Sequence, residues 1–144
     1  MVTVKEILEQ KGGAVARIDQ DATVLDATHI MNDKRIGSVV VCSGEKVTGI
    51  FTERDVLCRV VAEGRDPAAT RVAEVMTTPV ACCTPQTTME ECAGVMTEKR
   101  IRHLPVVEDD RLVGIVTSGD ILAREKQEHV KTIKYLKDYL YGTH

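Results

Sequence analysis

Gly49-Ile50-Phe51-Thr52-Glu53-Arg54-Asp55 returns as Gly114-Ile115-Val116-Thr117-Ser118-Gly119-Asp120, an offset of 65 residues. In both copies an apolar stretch ends at a Thr, and an Asp stands three positions on. That spacing reads as a corner where a strand stops and a helix starts. A Thr oxygen there accepts from N–H groups that have no partner in the first helical turn. The same offset holds without a gap from Thr23/Thr88 to Leu57/Leu122. Identities include Met31/Met96, Lys34/Lys99, Arg35/Arg100, Ile36/Ile101, Val41/Val106, Gly49/Gly114 and Ile50/Ile115. The match extends upstream through Val15/Val80. With a three-residue slip, Val4-Lys5-Glu6-Ile7-Leu8 answers Val72-Ala73-Glu74-Val75-Met76. So long a period, present only twice, is no solenoid. It predicts two copies of one α/β unit, packed about a pseudo-twofold axis.

Each copy reads alike. A short helical turn leads to a short strand, near Ala14–Ile18 and Val80–Cys83. A cap follows, Asp21 in one copy and Thr87 in the other, where Thr87-Thr88-Met89-Glu90 fits a capping box. The next helix carries one apolar stripe, Val24, Ala27, Ile30 and Met31, answered by Met89, Cys92, Ala93 and Met96. Then comes a β-branched run, Ser38–Cys42 or His103–Val107, read as buried on both faces. A tight turn, Ser43-Gly44-Glu45 or Glu108-Asp109-Asp110, joins it to Lys46–Phe51 or Arg111–Val116 as a hairpin. A second helix starts at Thr52 or Thr117. Pro67 breaks the chain in a linker around Gly64–Thr70. The tail, Ile121–Tyr141, reads as one charged amphipathic helix carrying Val130, Ile133, Leu136 and Leu140. The expected boundaries are an N-terminal helical segment 1–13, repeat one 14–66, a linker and helical turn 67–78, repeat two 79–126 and a C-terminal helix 127–144. The fold class is α/β (α+β), each repeat running β-α-β-β-α.

Composition narrows the function classes. The chain has 144 residues, 43% hydrophobic, enough for a core without metal or disulfide staples. One Phe, three Tyr and no Trp leave the core to aliphatic residues and argue against base-stacking platforms for nucleic acid. A formal charge of −3 argues against coating nucleic acid or an anionic membrane. No stretch approaches a membrane span, and the charged start does not read as a signal peptide. The five cysteines, Cys42, Cys58, Cys82, Cys83 and Cys92, form no C-x-x-C and read as small buried hydrophobes in a reducing, cytoplasmic compartment. The adjacent Cys82–Cys83 pair leaves a redox role open. No nucleophile with a positioned base, P-loop or dinucleotide fingerprint is present, so an enzyme is not expected. His29, His129 and His144 have no partner set, and no metal site is expected.

For the paired corners two readings compete. In one, Thr and Asp simply cap a helix. In the other, the strand end and helix start form a ready site for a phosphate or a ribose. The cations nearby are Arg54, Lys34, Arg35, Lys99, Arg100, Arg102 and His103. Lys34-Arg35 and Lys99-Arg100 read as solvated helix ends that suit the dipole. Arg102-His103 opens a strand read as buried, where unpaired charge is costly, so a phosphate-facing role is expected of it.

The two-copy layout, the segment Lys99-Arg100-Ile101-Arg102-His103-Leu104-Pro105-Val106-Val107 and both Gly-h-x-Thr-x-x-Asp corners resemble a tandem cystathionine-β-synthase (CBS) domain pair, or Bateman module. The resemblance covers nearly the whole chain. The opening Thr3–Leu8 and closing Ile133–Leu140 resemble small stand-alone bacterial CBS-pair proteins, related to organellar ones in plants. It implies a regulatory, non-catalytic module binding adenosine nucleotides (AMP, ADP, ATP or NAD(H), with S-adenosylmethionine ranked below them) in clefts between the repeats. It implies that Asp55 and Asp120 hold ribose hydroxyls and that Thr52 and Thr117, with Ser118, bond the ribose or α-phosphate. It further implies that Val15, Val80, Ile36, Ile101, Leu104 and Pro105 sandwich adenine, with Arg54, Arg102 and His103 toward phosphate. A homodimer in which four repeats form a disc, and an unnamed effector protein, follow from the same resemblance. The alternative is an interaction scaffold with vestigial clefts. The copies also differ: Arg102-His103 stands where copy one has Gly37-Ser38, and Glu53-Arg54 where copy two has Ser118-Gly119. The clefts are therefore expected to differ in affinity or ligand.

Overall fold

The computed structural model describes the backbone of residues 1–141 and side chains through residue 138. In chain order the elements are α1 (Val4–Lys11), β1 (Arg17–Asp19), α2 (Val24–Lys34), β2 (Ser38–Ser43), β3 (Lys46–Thr52) and the helical turn α3 (Glu53–Asp55). The last runs into a π-helical stretch, Val56–Val61. Then follow α4 (Val72–Val75), α5 (Met89–Lys99), β4 (His103–Glu108), β5 (Arg111–Thr117) and α6 (Ser118–Tyr141). The doubled α/β pattern expected from the offset is present in the central helices and both hairpins.

In the first repeat β1 runs parallel to β2, which pairs antiparallel with β3. Ser38 through Cys42 are all buried, as a strand covered on both faces requires. In the second repeat only β4 and β5 form a ladder. The strand expected at Val80–Cys83 is reduced to one parallel bridge, Cys83 to Val106. Pro105 supplies the reason. In repeat one the N–H of Val40 donates to Ala16 O at 3.0 Å. Pro105 occupies the equivalent position and has no N–H to offer Ala81. The contacts that survive are Cys83 N–H to Pro105 O and Val107 N–H to Cys83 O, both 2.9 Å. The strand expected at Ala14–Ile18 begins later, at Arg17, and Ala16 contributes its carbonyl alone.

Both hairpins close through two-residue turns and slip register at equivalent places, between Val41 and Cys42 and between Val106 and Val107. Asp109 and Asp110 both take positive φ, 51° and 61°, as a type I′ turn demands. The helix caps differ from expectation. Thr23 and Thr88, not Asp21 and Thr87, accept from the third helical N–H, with Asp26 and Glu91 completing the boxes. Thr87 is engaged one turn earlier, its Oγ1 accepting from Thr84 N–H at 3.0 Å. The Thr23/Thr88 identity was the signal for the true caps.

Each repeat has its own core, and the leading helices are exchanged between them. Val4 and Ile7 of α1 are buried with Cys83, Met89, Cys92, Met96, Leu104, Val106, Val116 and Ile121 of repeat two. Val72 and Val75 of α4 are buried with Val24, Ala27, Met31, Val39, Val41, Phe51 and Val60 of repeat one. Backbone bonds fix the exchange: Val4 N–H to Thr87 O and Met89 N–H to Val2 O on one side, Val72 N–H to Ala22 O and Val24 N–H to Thr70 O on the other. Each buried aliphatic contributes about 1.5–3 kcal/mol, so neither repeat is complete without the segment that precedes its neighbour.

Of the cysteines, Cys42, Cys83 and Cys92 are buried, while Cys58 and Cys82 are exposed, so the reading of all five as buried is corrected. Cys58 lies on the outer side of the π-helical stretch, and Cys82 precedes the one residue that bridges to β4. The apolar stripe of α6 is also exposed at Val130, Ile133 and Leu136; the side chain of Leu140 lies outside those described. Among the described residues no helix is long and apolar enough to cross a membrane.

Candidate functional site

The two corners share a frame. Thr52 caps α3 and Thr117 precedes α6, and in each the Asp three residues on bonds back to the Thr N–H. The backbone tie behind each corner is also the same: Glu53 N–H to Gly37 O at 3.0 Å, and Ser118 N–H to Arg102 O at 2.9 Å. What lies over the frame differs.

At the first corner Met76-Thr77 forms a strap. Ile50 N–H donates to Thr77 O at 3.1 Å, and Thr77 N–H to Ile50 O at 2.8 Å. Gly49 makes room for it, since a Cβ there would stand 2.6 Å from Met76 Sδ and 2.9 Å from Thr77 O. The strap brings the Thr77 hydroxyl to Asp55, donating at 3.1 Å to Oδ1 and 3.2 Å to Oδ2. Thr52 N–H and Oγ1 donate to Oδ2 at 3.0 and 3.2 Å, and Arg59 Nε stands 3.5 Å from Oδ1. The Asp55 side chain is 7% exposed. Both of its oxygens are engaged by the protein.

At the second corner the place of the strap is taken by α1. Leu8 covers Gly114, with its methyl carbons 2.8 and 2.9 Å from where a Cβ would stand. Leu8 and Met76 are partners in the three-residue slip, so the covering residue was legible in the sequence although its role was not. Lys11 Nζ then reaches the corner, 3.0 Å from Ile115 O and 2.7 Å from Asp120 Oδ2. Thr117 N–H donates to the same oxygen at 2.8 Å. Among the described residues no partner falls on Oδ1, and the Asp120 side chain is 21% exposed. His103 pairs with Thr117 across the ladder and is half-buried. Burial pulls its pKa below the usual imidazole value; Glu53 opposes that shift, Arg102 and Lys11 add to it, and Asp120 opposes it. Glu53 belongs to the first corner, so the fields of the two corners meet at His103.

The structure therefore brings together Thr117, Asp120 and His103, with Arg102 exposed at the start of β4 and Ser118 partly exposed beside Thr117. Thr52 and Asp55 stand together but covered, and Arg54 is exposed. Of the apolar candidates, Ile36 is exposed and Val15, Val80 and Ile101 are partly so, whereas Leu104 and Pro105 are fully buried. Lys34, Arg35, Lys99 and Arg100 are exposed, with Arg35 and Arg100 closing their helices in the left-handed conformation at φ 53° and 55°. Lys11, Arg59 and Thr77 were not singled out in the sequence; Lys11 and Thr77 reach the corners from the exchanged segments, and Arg59 from one turn after Asp55. A surface concavity of about 380 Å³ around Cys58, Arg59 and Glu74 adjoins the first corner through Arg59, and one of about 800 Å³ lies around Met1, Glu6, Met89 and Glu125. Among the described residues no group of His, Cys, Asp and Glu is placed to hold a metal ion; His144 lies outside them.

This architecture, two interlocked α/β repeats with paired Thr-x-x-Asp corners, the second without its leading strand, defines a tandem repeat module. The CBS domain family matches residues 4–62 and 72–126, and the chain belongs to that family. It is 33% identical to the mitochondrial CBS domain-containing protein CBSX3 of Arabidopsis thaliana, over 97% of this chain and 72% of that one. Among solved structures it resembles a CBS-domain containing protein from Agrobacterium tumefaciens, with 34% identity and a TM-score of 0.81, covering 86% of this chain and 99% of that one. It also resembles the CBS domain pair of protein MJ0100, solved with 5′-methylthioadenosine and S-adenosylmethionine. There the identity is 25% and the TM-score 0.79, over 89% of this chain and 98% of that one.

Proposed function

We propose that this chain is a non-catalytic regulatory module that binds an adenosine nucleotide, chiefly at the Asp120 corner. The observation that carries the reading is the contrast in the two carboxylates: among the described residues Asp120 keeps an oxygen without a partner, with Lys11 on the other and His103 near, while both oxygens of Asp55 are engaged. A carboxylate with an accessible oxygen suits ribose hydroxyls, Thr117 and Ser118 suit the ribose or α-phosphate, and the neighbouring cations suit phosphate. Ile101, Val80, Val15 and Ile36 are the apolar residues with surface left for adenine. AMP, ADP, ATP and NAD(H) all fit this chemistry. The adenosine ligands on the MJ0100 pair support the nucleoside class, and S-adenosylmethionine fits less well because its sulfonium would meet cations here.

Binding acts on a partner only if the ligand prefers one arrangement of the repeats. The exchange of α1 and α4 supports such coupling, since a change at the Asp120 corner pulls on a helix that precedes repeat one. A homodimer of four repeats is supported by exposed Leu57 and Val61 on repeat one and Leu122 at the matching position on repeat two. Five free cysteines, two of them exposed, support a reducing cytoplasmic setting. The scaffold reading keeps one point in its favour, the closed state of Asp55.

A thermal-shift panel with AMP, ATP, NADH and S-adenosylmethionine tests the reading. At about 100 times its dissociation constant a ligand adds roughly 2.7 kcal/mol, a rise of about 5–11 °C for a domain of this size. A rise with an adenosine nucleotide that is lost in Asp120→Ala supports the sensor; a flat panel on folded, ligand-stripped protein favours the scaffold.

A further inference from the structure

The inference rests on the nucleotide reading of the Asp120 corner and concerns which adenosine derivatives that corner accepts. To hold ribose, the carboxylate of Asp120 must accept from two hydroxyls. One oxygen has no partner among the described residues, but the other is shared by Thr117 N–H and Lys11 Nζ, the latter at only 2.7 Å. A neutral hydroxyl is a weaker partner for a carboxylate than an ammonium. A ribose whose two hydroxyls take both oxygens of Asp120 competes with Lys11 for Oδ2, and the displaced ammonium gains from a replacement anion. The Lys11 side chain is 29% exposed.

The placement of Lys11 lets it move without disturbing the fold. It is the last residue of α1, and the apolar anchors Val4, Ile7 and Leu8 lie on earlier turns. Gly12 follows at φ 95°, closing the helix with its N–H on Leu8 O at 2.7 Å. The four-carbon stem can therefore swing while the backbone stays fixed, and an ion pair this exposed is weakly held. The charges of Lys11 and Arg102 both act on His103, which pairs with Thr117 across the ladder.

We infer that Lys11 is the specificity residue of this corner: it pairs with Asp120 until a 5′-phosphorylated adenosine arrives, then passes from the carboxylate to the phosphate as ribose takes its place. A nucleotide brings its own replacement anion for the displaced ammonium. Adenosine and 5′-methylthioadenosine bring none, and a 5′-sulfonium brings the wrong sign. The first corner has no such device, because the partners of Asp55 are Thr77 on the backbone strap and Arg59 on its own helix.

The test is calorimetry on the full chain with AMP and with adenosine, comparing wild type, Lys11→Met, Lys11→Arg and Asp120→Asn, each checked for a cooperative melting transition above the temperature of the titration. Lys11→Met weakens AMP at least tenfold and leaves adenosine equal or tighter, because the competitor for Asp120 is gone; Lys11→Arg keeps most of the preference for AMP. An equal loss for both ligands in Lys11→Met, or no change in either, overturns the inference and leaves Lys11 a structural residue. Should AMP, ATP and NADH all fail to bind wild type, or AMP bind Asp120→Asn as tightly, the nucleotide reading itself falls. The two failures are thus told apart by Asp120→Asn.

Discussion

Two corners with the same seven-residue pattern meet different neighbours, and the neighbours decide what each corner can do. At the first, a backbone strap from Met76-Thr77 and the guanidinium of Arg59 enclose Asp55. At the second, a single flexible lysine reaches Asp120 from the end of α1. The Thr-x-x-Asp pattern specifies the cap in both. Whether the carboxylate is structural or available is set by the segment that crosses over it, and that segment comes from outside the repeat.

The comparison breaks first at the carboxylates. Asp55→Ala leaves Thr77, Thr52 N–H and Arg59 without their acceptor in a nearly closed site, and is expected to cost about 3 kcal/mol of stability. Asp120→Ala removes a capping contact and a partly exposed ion pair, at about 1 kcal/mol, yet abolishes nucleotide binding. Urea denaturation of the two variants measures the gap; equal losses would contradict the contrast.

The glycines sharpen it. A methyl at Gly49 collides with the Thr77 backbone carbonyl as well as with Met76, so Gly49→Ala is expected to cost about 2 kcal/mol. A methyl at Gly114 meets only the end of the Leu8 side chain, which can rotate, and Gly114→Ala is expected to cost about 0.5 kcal/mol. The same denaturation series reads both.

The smallest effect lies at His103, where the corners meet. Burial holds its pKa in the folded chain below the usual value near 6.5. Between that lowered value and about 6.5 the unfolded chain binds a proton that the folded chain does not. The contribution of His103 to stability is therefore present above about pH 6.5 and is lost as pH falls toward the folded pKa. In His103→Asn the fall in stability between pH 7.5 and pH 5.5 becomes shallower than in wild type; an unchanged slope would show that burial of this imidazole has no such effect. A bound phosphate should reverse the tendency by favouring the protonated ring.

Most of the fold was legible because the chain states it twice. The hairpins, the central helices and the corner caps each appear at equivalent positions, and agreement between copies filters out chance patterns. The errors fell where one residue overrides a shared plan. Pro105 removes the N–H that would have completed a strand at Ala81, which an alignment of the two copies places opposite Val40 but an apolar run does not reveal. Thr87 yields the cap to Thr88 because its hydroxyl is engaged by Thr84 N–H. Of the candidate site, Thr117, Asp120 and His103, all named from the sequence, stand together in the structure. Lys11 and Thr77 were not visible, since they reach the corners through an exchange of helices between repeats, a tertiary fact that periodicity does not encode. Arg59 lies four residues after Asp55, a spacing that was legible and was not used.

The central claim is that the two corners are unequal and that the Asp120 corner holds the ligand. Isothermal titration of the intact chain with AMP measures it directly. The account predicts one tight site per chain, removed by Asp120→Asn. Two equal sites per chain, or tight binding that survives in Asp120→Asn, would contradict it.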